Sequence, residues 1–234
     1  MHGSRGSFSG HPSTRAVARS GALLALLAAG WLASVLGAPQ DSVQGVVQKI
    51  LYVHVPCAFA AYLGFLVTGV SGALYLWRGE ARFDRVAAAS AEVGLLFCSL
   101  VIVTGPIWAK ATWGHWWAWD PRLTVTLLQW FIYLAYLLLR SFTEGDERAA
   151  RFAAVYGLLG VFAIPLNYFA IELFGSAAMH PENLQRGSLG AGMGLPFLAG
   201  VLTALAAYLH LLLLRADSIE RRNALQELLE ARGS

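Results

Sequence analysis

The sequence predicts an all-α membrane protein whose chain crosses the bilayer six times. Of its 234 residues, 57% are hydrophobic and only 13% are charged, and the mean hydropathy is +0.55. Such a composition leaves too few polar side chains to cover a water-soluble domain, and it is typical of polytopic membrane proteins. The apolar runs lack the alternation of polar and apolar residues expected of a transmembrane barrel, so we expect the spans to be helices.

Six apolar runs are each long enough to cross about 30 Å of hydrocarbon. They are Gly21–Ala38, Ile50–Trp77, Val86–Trp108, Leu123–Leu139, Phe152–Phe174 and Leu189–Leu214. The first run follows a basic flank, as in a signal peptide, but no Ala-x-Ala cleavage site follows it. We therefore interpret it as the first transmembrane helix.

The spans divide the chain into three parts. Residues 1–20 are rich in Gly and Ser and are expected to be disordered. Residues 21–215 form the predicted six-helix domain, with a tryptophan-rich loop at 105–122. Residues 216–234 are expected to form a helical tail, either a solvated continuation of the last helix, which we favour, or a docking surface for a cytoplasmic partner. Asp217 and Glu220 have the spacing of a capping box.

The distribution of lysine and arginine predicts the orientation in the membrane. Four basic residues, Lys49, Lys110, Arg122 and Arg186, fall on one side of the predicted membrane. The other 13 of the 17 are Arg5, Arg15, Arg19, Arg78, Arg82, Arg85, Arg140, Arg148, Arg151, Arg215, Arg221, Arg222 and Arg232. The positive-inside rule then predicts that both termini are cytoplasmic and that the tryptophan-rich loop is periplasmic in a bacterium. Because the basic residues stand singly beside apolar runs, the pI near 9.0 does not indicate nucleic-acid binding.

The stretch from Trp108 to Thr124 carries the strongest functional signal. It contains five of the eight tryptophans, namely Trp108, Trp113, Trp116, Trp117 and Trp119. Trp113, Trp116 and Trp117 stand at i, i+3 and i+4, so one helical turn would place three indoles on one face. An interfacial aromatic belt needs only one or two tryptophans per helix end, so we expect this face to bind a flat, apolar ligand. Asp120-Pro121 has the residue types of an N-cap and a first helical position.

Three histidines are predicted on the outer side of the membrane: His54, His115 and His180. Imidazole is a common protein ligand of haem iron, and haem also has flat apolar faces for the indoles. Its two propionates would suit Lys110, Arg122 or indole N–H groups. Glu172, near the outer end of the fifth span, could bind a ligating histidine or the cationic partner of a propionate.

Polar and thiol groups inside the spans give weaker signals. Glu92 lies within the third span, where a carboxylate is either functional or hydrogen-bonded to a neighbouring helix, and both interpretations stay open. Cys57 and Cys98 lie in different spans, and the chain has no Cys-x-x-Cys motif. Thiol redox chemistry and covalent haem attachment are therefore not expected.

The motif Trp-Gly-x-Trp-Trp-x-Trp-Asp-x-Arg-Leu-Thr, from Trp113 to Thr124, resembles the WWD signature of the haem-handling proteins of cytochrome c maturation. The preceding Thr-Gly-Pro-Ile-Trp-Ala-Lys and the His-Val-Pro-Cys-Ala at His54 are similar to the haem exporter protein C (CcmC) family. This likeness runs from about Val47 to Arg140 and continues more weakly to Leu214. The six spans and the chain length also suit this short family.

The resemblance implies a non-enzymatic, multi-pass protein of the bacterial inner membrane. Such a protein holds haem b non-covalently and transiently at the periplasmic face and passes it to a periplasmic haem chaperone. Implied partners also include ABC-type transporter subunits and a small membrane subunit, but no nucleic acid. The implied axial ligands are His54 and His180, with the tryptophans contacting haem. His115 remains a rival, because Leu173-Phe174 replace the tryptophan pair that usually precedes the family's loop histidine.

Three other functions are alternatives to haem delivery. A subunit that translocates haem within an ABC transporter complex should have broken helices and a polar path through the midplane, and the sequence offers few polar residues there. An electron-transfer protein would need histidine pairs within the membrane, whereas these histidines lie on the outer side. An assembly scaffold would use the aromatic patch for a protein partner and bind no cofactor.

Overall fold

The computed structural model describes residues 14–142, 147–175, 179–181 and 189–233. Its α-helices are α1 Thr14–Gly37, α2 Leu51–Arg78, α3 Ala81–Trp113, α4 Pro121–Phe142, α5 Glu147–Tyr168, α6 Ala170–Phe174 and α7 Gly194–Gly233, and a 3-10 helix, Val46–Ile50, leads into α2. Six of these helices are long and apolar enough to cross a membrane. The prediction of an all-α protein with six spans is therefore confirmed.

Helix α2 lies at the centre of the bundle and packs against α3, α5 and α7. Small residues allow these close contacts, as in many membrane bundles. A Cβ added at Gly64 would lie 2.7 Å from the Cα of Gly94 on α3, and one added at Gly72 would lie 3.2 Å from the carbonyl oxygen of Ala154 on α5. Since neither position has room for a larger side chain, these glycines set the distance between the helices.

The bundle has two ends with different chemistry. We call the end formed by residues 38–50, 114–120 and 169–175 the tryptophan end, and the end formed by residues 78–85, 140–142 and 215–222 the arginine end. At the arginine end, Arg140 binds both carboxylate oxygens of Asp84, at 2.5 and 2.8 Å. Arg215 on α7 binds both oxygens of Glu92 in the same way, at 2.5 and 2.8 Å. Of the two interpretations of Glu92, the structure therefore gives the carboxylate a partner on a neighbouring helix.

Large buried aromatic side chains fill the bundle between the two ends. Tyr133, Tyr136, Phe65 and Tyr208 are almost completely buried. The ring of Phe65 stacks on that of Tyr133 at a centroid distance of 3.7 Å, and the Tyr133 hydroxyl donates to the Phe65 carbonyl at 3.1 Å. This packing separates the tryptophan end from the arginine end.

One expectation, for the N-terminal end of the chain, requires correction. Helix α1 begins at Thr14, so residues 14–20 are helical rather than disordered, and residues 1–13 lie outside the described part of the chain. Adding turns that contain Ala and Arg to the N-terminus of an existing helix costs less free energy than nucleating a new helix. At the other end, α7 continues without a break to Gly233, in agreement with a continuation of the last helix, so the capping-box spacing at Asp217 does not start a new helix. The Asp217 carboxylate instead pairs with Arg221 at 2.8 Å, one turn further along the helix.

Three predicted boundaries at the tryptophan end also differ. Helix α3 continues through Pro106 to Trp113, so the first half of the expected loop 105–122 is helical. The fifth span is divided into α5 and α6 at Phe169, whose ψ of 5° departs from the helical value. Helix α7 begins at Gly194, because Gly192 has a φ of 79° and the preceding residues form a turn.

Candidate functional site

A cavity of about 320 Å³ opens at the tryptophan end between α2, α3 and α4. Six of the residues selected from the sequence line it: His54, Trp108, Trp113, Trp117, Arg122 and His180. These residues come from three helices, the segment after α3 and the segment before α7. The fold therefore brings together side chains that lie up to 126 positions apart in the sequence.

His54 lies in the first turn of α2, and the local contacts determine which of its ring nitrogens carries the proton. Its Nδ1 lies 2.9 Å from the Thr104 Oγ1 on α3. The Thr104 hydroxyl donates its only proton to the Leu100 carbonyl at 2.7 Å, so it accepts from the histidine. Nδ1 therefore carries the proton, and the lone pair is on Nε2.

Packing fixes the plane of the His54 ring as well. The ring meets Trp108 edge-on, at a centroid distance of 5.9 Å and an interplanar angle of 78°. On α3, a Cβ added at Gly105 would lie 3.3 Å from the His54 Cε1. The glycine therefore provides the space for the imidazole, and His54 is held by helices on both sides.

Asp120 starts α4, as the sequence predicts, but its carboxylate does more than cap the helix. Oδ1 accepts from the backbone N–H of Arg122 at 2.8 Å and of Leu123 at 3.4 Å. Oδ2 accepts from the backbone N–H groups of Met179 and His180, the latter at 3.0 Å. Burial raises the pKa of Asp120, but the four N–H donors lower it by more, so the carboxylate stays ionised.

His180 belongs to residues 179–181, which we call the His180 segment. Its Nδ1 lies 2.8 Å from the Pro181 carbonyl oxygen, which can only accept a proton, so Nδ1 is the donor and Nε2 has the lone pair. Arg122 Nη1, at 3.5 Å from the same nitrogen, can only donate and acts here through its charge. Burial and this charge lower the pKa of His180, against the opposing effects of Pro181 and Asp120, and keep the imidazole neutral.

Arg122 connects the start of α4 to the end of α5. Its Nη2 donates to the Tyr168 carbonyl at 2.7 Å and its Nε to the Asn167 carbonyl at 3.3 Å. Such contacts satisfy carbonyl groups at a helix C-terminus and complement its dipole. The Asn167 side chain donates to Thr126 at 2.7 Å and accepts from the Tyr62 hydroxyl at 2.5 Å. The guanidinium charge is thereby fixed beside the cavity.

The five tryptophans separate into two groups. Trp108, Trp113 and Trp117 line the cavity, whereas Trp116 and Trp119 are 59% and 77% exposed and do not line it. The Nε1 of Trp108 donates to the Gln44 Oε1 at 2.8 Å, while the buried Nε1 of Trp117 has no hydrogen-bond partner among the described residues. The indole N–H of Trp117 is thus a buried donor without an acceptor among the described residues.

The expected helical face of three indoles does not form. Gly114, with a φ of 81°, ends α3 directly after Trp113, and its N–H donates to the Lys110 carbonyl at 3.2 Å. Trp116 and Trp117 therefore lie in the non-helical segment that follows. A left-handed glycine is a common helix terminator, so the prediction is wrong because it continued the helix through Gly114.

Three other candidates do not line the cavity. Lys110 is exposed and donates to the Gly114 carbonyl at 2.8 Å, and Glu172 is exposed on α6. His115 is exposed, with its ring centroid 6.1 Å from that of Trp113. Conversely, Gln129 was not selected as a site residue, yet it lines the cavity at 1% exposure, and its buried Nε2 has no partner in the described part of the chain. An amide group within an apolar span was the available sequence signal for it.

Comparisons with known proteins agree on one family. The family model for "Heme exporter protein C" matches residues 7–229. The Heme exporter protein C of Bradyrhizobium diazoefficiens is 34% identical over 218 residues, which cover 90% of this chain and 81% of that protein. The corresponding protein of Paracoccus denitrificans is 33% identical over 90% of this chain and 91% of its own length. That of Escherichia coli K12 is 29% identical over 91% and 88%, respectively.

Proposed function

The chain belongs to the haem exporter protein C family, and on this basis we propose that its cavity binds haem for delivery to a periplasmic haem chaperone. The family handles haem in c-type cytochrome biogenesis. Haem b would be held non-covalently and transiently, as cargo, with His54 and His180 as the axial ligands of its iron. One observation carries this proposal: both imidazoles line one cavity, and each has Nδ1 engaged and no hydrogen bond to Nε2 from the described residues.

The histidine pair has the chemistry that haem iron requires. The porphyrin supplies four nitrogen ligands, so a protein needs to provide at most two more. A ligating histidine is usually neutral and donates its other ring N–H to an oxygen acceptor, which fixes the ring and makes the ligating nitrogen more basic. Thr104 is that acceptor for His54, and the Pro181 carbonyl is that acceptor for His180.

The other cavity residues suit the porphyrin. Trp108, Trp113 and Trp117 offer apolar faces for the ring system. The guanidinium of Arg122 places a positive charge beside the cavity, which favours propionate groups. The buried aromatic core beneath the cavity supports binding and delivery at the tryptophan end rather than passage of haem through this chain.

We further propose that the tryptophan end faces the periplasm and that both termini are cytoplasmic, in a bacterial inner membrane. Thirteen of the 17 lysine and arginine residues support this orientation through the positive-inside rule. ABC-type transporter subunits and a small membrane subunit are the proposed partners, by virtue of the family. Reporter fusions after His115 and after Gly79 should report outside and inside, respectively, and the opposite result would overturn the orientation.

Haem binding itself is tested with the purified protein in nanodiscs, by visible spectroscopy after addition of haem. Wild type should bind haem with a low-spin spectrum. Trp117→Ala should lower the affinity about tenfold or more, because burying a large aromatic side chain is worth roughly 1.5–3 kcal/mol. Trp119→Ala, which alters an exposed indole outside the cavity, should retain haem.

Trp77→Ala is the matched control, since this tryptophan is 77% exposed at the arginine end. If wild type binds no haem, the protein is an assembly scaffold and the proposal fails. If the Trp117 and Trp77 variants retain haem equally well, the tryptophans form only an interfacial belt.

A further inference from the structure

We propose that Asp120 is a positioning residue for the second haem ligand, holding the His180 segment against the first turn of α4. This inference rests on the proposed function, because it concerns His180 as a ligand. Asp120 is 2% exposed, and its two carboxylate oxygens serve two different parts of the chain. Oδ1 binds the N–H groups of Arg122 and Leu123, and Oδ2 binds those of Met179 and His180.

Capping α4 does not require the second oxygen. A serine or threonine, with a single side-chain oxygen, is a satisfactory N-cap, so one acceptor atom is enough to start a helix. At Asp120 the additional oxygen receives two N–H groups from residues 59 and 60 positions further along the chain. Hydrogen bonds to an ionised acceptor are about twice as strong as neutral ones, and the carboxylate is buried. The contact is therefore a strong tertiary restraint.

The restraint acts on the backbone of the ligand itself. Among the described residues, the hydrogen bonds from the backbone N–H groups of the His180 segment both end on the Asp120 Oδ2. The same carboxylate begins the helix that carries Arg122, and it follows Trp117 by three residues. One side chain therefore joins the start of the helix that carries Arg122 to the backbone of His180. Loss of its second oxygen frees His180 and leaves His54 in place.

The test separates the two oxygens. Asp120→Ser keeps one oxygen for the helix cap but cannot also reach the His180 segment. We expect the haem-loaded variant to show a five-coordinate, high-spin fraction like that of His180→Gly, and added imidazole to restore the six-coordinate spectrum. Haem affinity should fall by about 10- to 100-fold, as is typical when the partner of a metal ligand is removed.

Two further variants separate positioning from capping. Asp120→Asn retains an excellent cap residue, but its amide presents N–H groups to the N–H donors of Met179 and His180, so it should give the same open-site spectrum. Thr124→Val removes the bond from the Thr124 hydroxyl to the Asp120 carbonyl in the same helical turn, at 2.8 Å, without touching the His180 segment. This control should retain the wild-type spectrum.

Hydrogen exchange in the haem-free protein gives an independent measurement. The amides of Met179 and His180 should exchange faster in Asp120→Ser than in wild type or Thr124→Val. If Asp120→Ser and Asp120→Asn both keep the six-coordinate spectrum and slow exchange, Asp120 is only a helix cap and the inference is overturned. In that case wild type still binds haem, and the proposed function stands. If wild type binds no haem, the function and the ligand role of His180 fail together, whatever the exchange rates show.

Discussion

The two candidate ligands are held in different ways. His54 lies within α2, and its side chain is fixed by Thr104, Gly105 and Trp108 of the adjacent α3. His180 lies outside the helices, and the contacts that position it are backbone hydrogen bonds to Asp120 and a bond from its ring to the neighbouring carbonyl. Displacing the His54 ring requires its packed contacts with α3 to be broken, whereas displacing His180 requires only a few hydrogen bonds to break. A protein that holds haem and then gives it up benefits from one fixed ligand and one that can be released.

The largest expected effect is the removal of either imidazole. His54→Gly should lower haem affinity by at least about 100-fold, since even the loss of a ligand's hydrogen-bond partner typically costs 10- to 100-fold. His180→Gly should lower it less, because the better-fixed ligand remains. Each variant should show an open coordination site in its visible spectrum, and added imidazole should close it.

His115→Gly is the control for this pair, because His115 is exposed and does not line the cavity. It should keep the wild-type spectrum and affinity. An open-site spectrum for His115→Gly, together with a normal one for His180→Gly, would mean that the second ligand is His115 rather than His180.

The next largest loss of haem affinity is expected from a change beside His54, the more firmly held ligand. Thr104→Val removes the acceptor of the His54 Nδ1 proton with little change in shape, so the ring loses its preferred tautomer and orientation. Haem affinity, measured by titration, should fall about 10- to 100-fold, and imidazole should not restore it, because the ligand is still present.

Thr203→Val is the matched control for this substitution. Thr203 also donates to the carbonyl four residues before it, Ala199, at 2.8 Å, but it does not line the cavity. Equal affinities for the two threonine variants would show that His54 does not depend on Thr104.

Local features were readable in the sequence, and contacts across the bundle were not. Length and hydropathy predict the six spans because each span must cross the bilayer by itself. Asp120-Pro121 predicts the start of α4 because capping is a local interaction, and the structure confirms this cap. The bond between His54 and Thr104 joins residues 50 positions apart on different helices. No pattern within one segment could have indicated it.

The tryptophan segment shows the same limit. Its composition correctly led to the cavity, since Trp108, Trp113 and Trp117 line it. The division between lining and exposed indoles depends on the turn at Gly114. The i, i+3, i+4 spacing of the tryptophans does not indicate this turn. The second function of Asp120 was also missed, because the Oδ2 contacts depend on where the His180 segment lies in the fold.

A smaller effect is expected from crowding the fixed ligand. In Gly105→Ala, the new Cβ would lie 3.3 Å from the His54 Cε1, so the ring must turn slightly from its position. An off-rotamer side chain costs about 0.5–1.5 kcal/mol, which corresponds to an affinity loss of roughly two- to tenfold. The helix itself should become more stable, because alanine is the better helix former.

Gly30→Ala separates these two effects, since nothing lies within 4 Å of the new Cβ on α1. It should raise thermal stability without changing haem affinity. If Gly105→Ala binds haem as tightly as Gly30→Ala, the space beside His54 is not limiting.

The smallest effect is expected at the arginine end, where the structure has an ion pair in place of a ligand site. Glu92→Gln removes the charge that binds Arg215, and both side chains are about a third exposed, at 35% and 37%. The amide oxygen can still accept one hydrogen bond from the Arg215 guanidinium, so thermal stability should fall only slightly. The haem spectrum and affinity should not change, because the packed tyrosines of the core separate this pair from the cavity. Glu227→Gln, in the exposed part of α7, controls for the loss of a negative charge. A changed haem spectrum in the Glu92 variant alone would show that the two ends are coupled, and it would restore the functional interpretation of this intramembrane carboxylate.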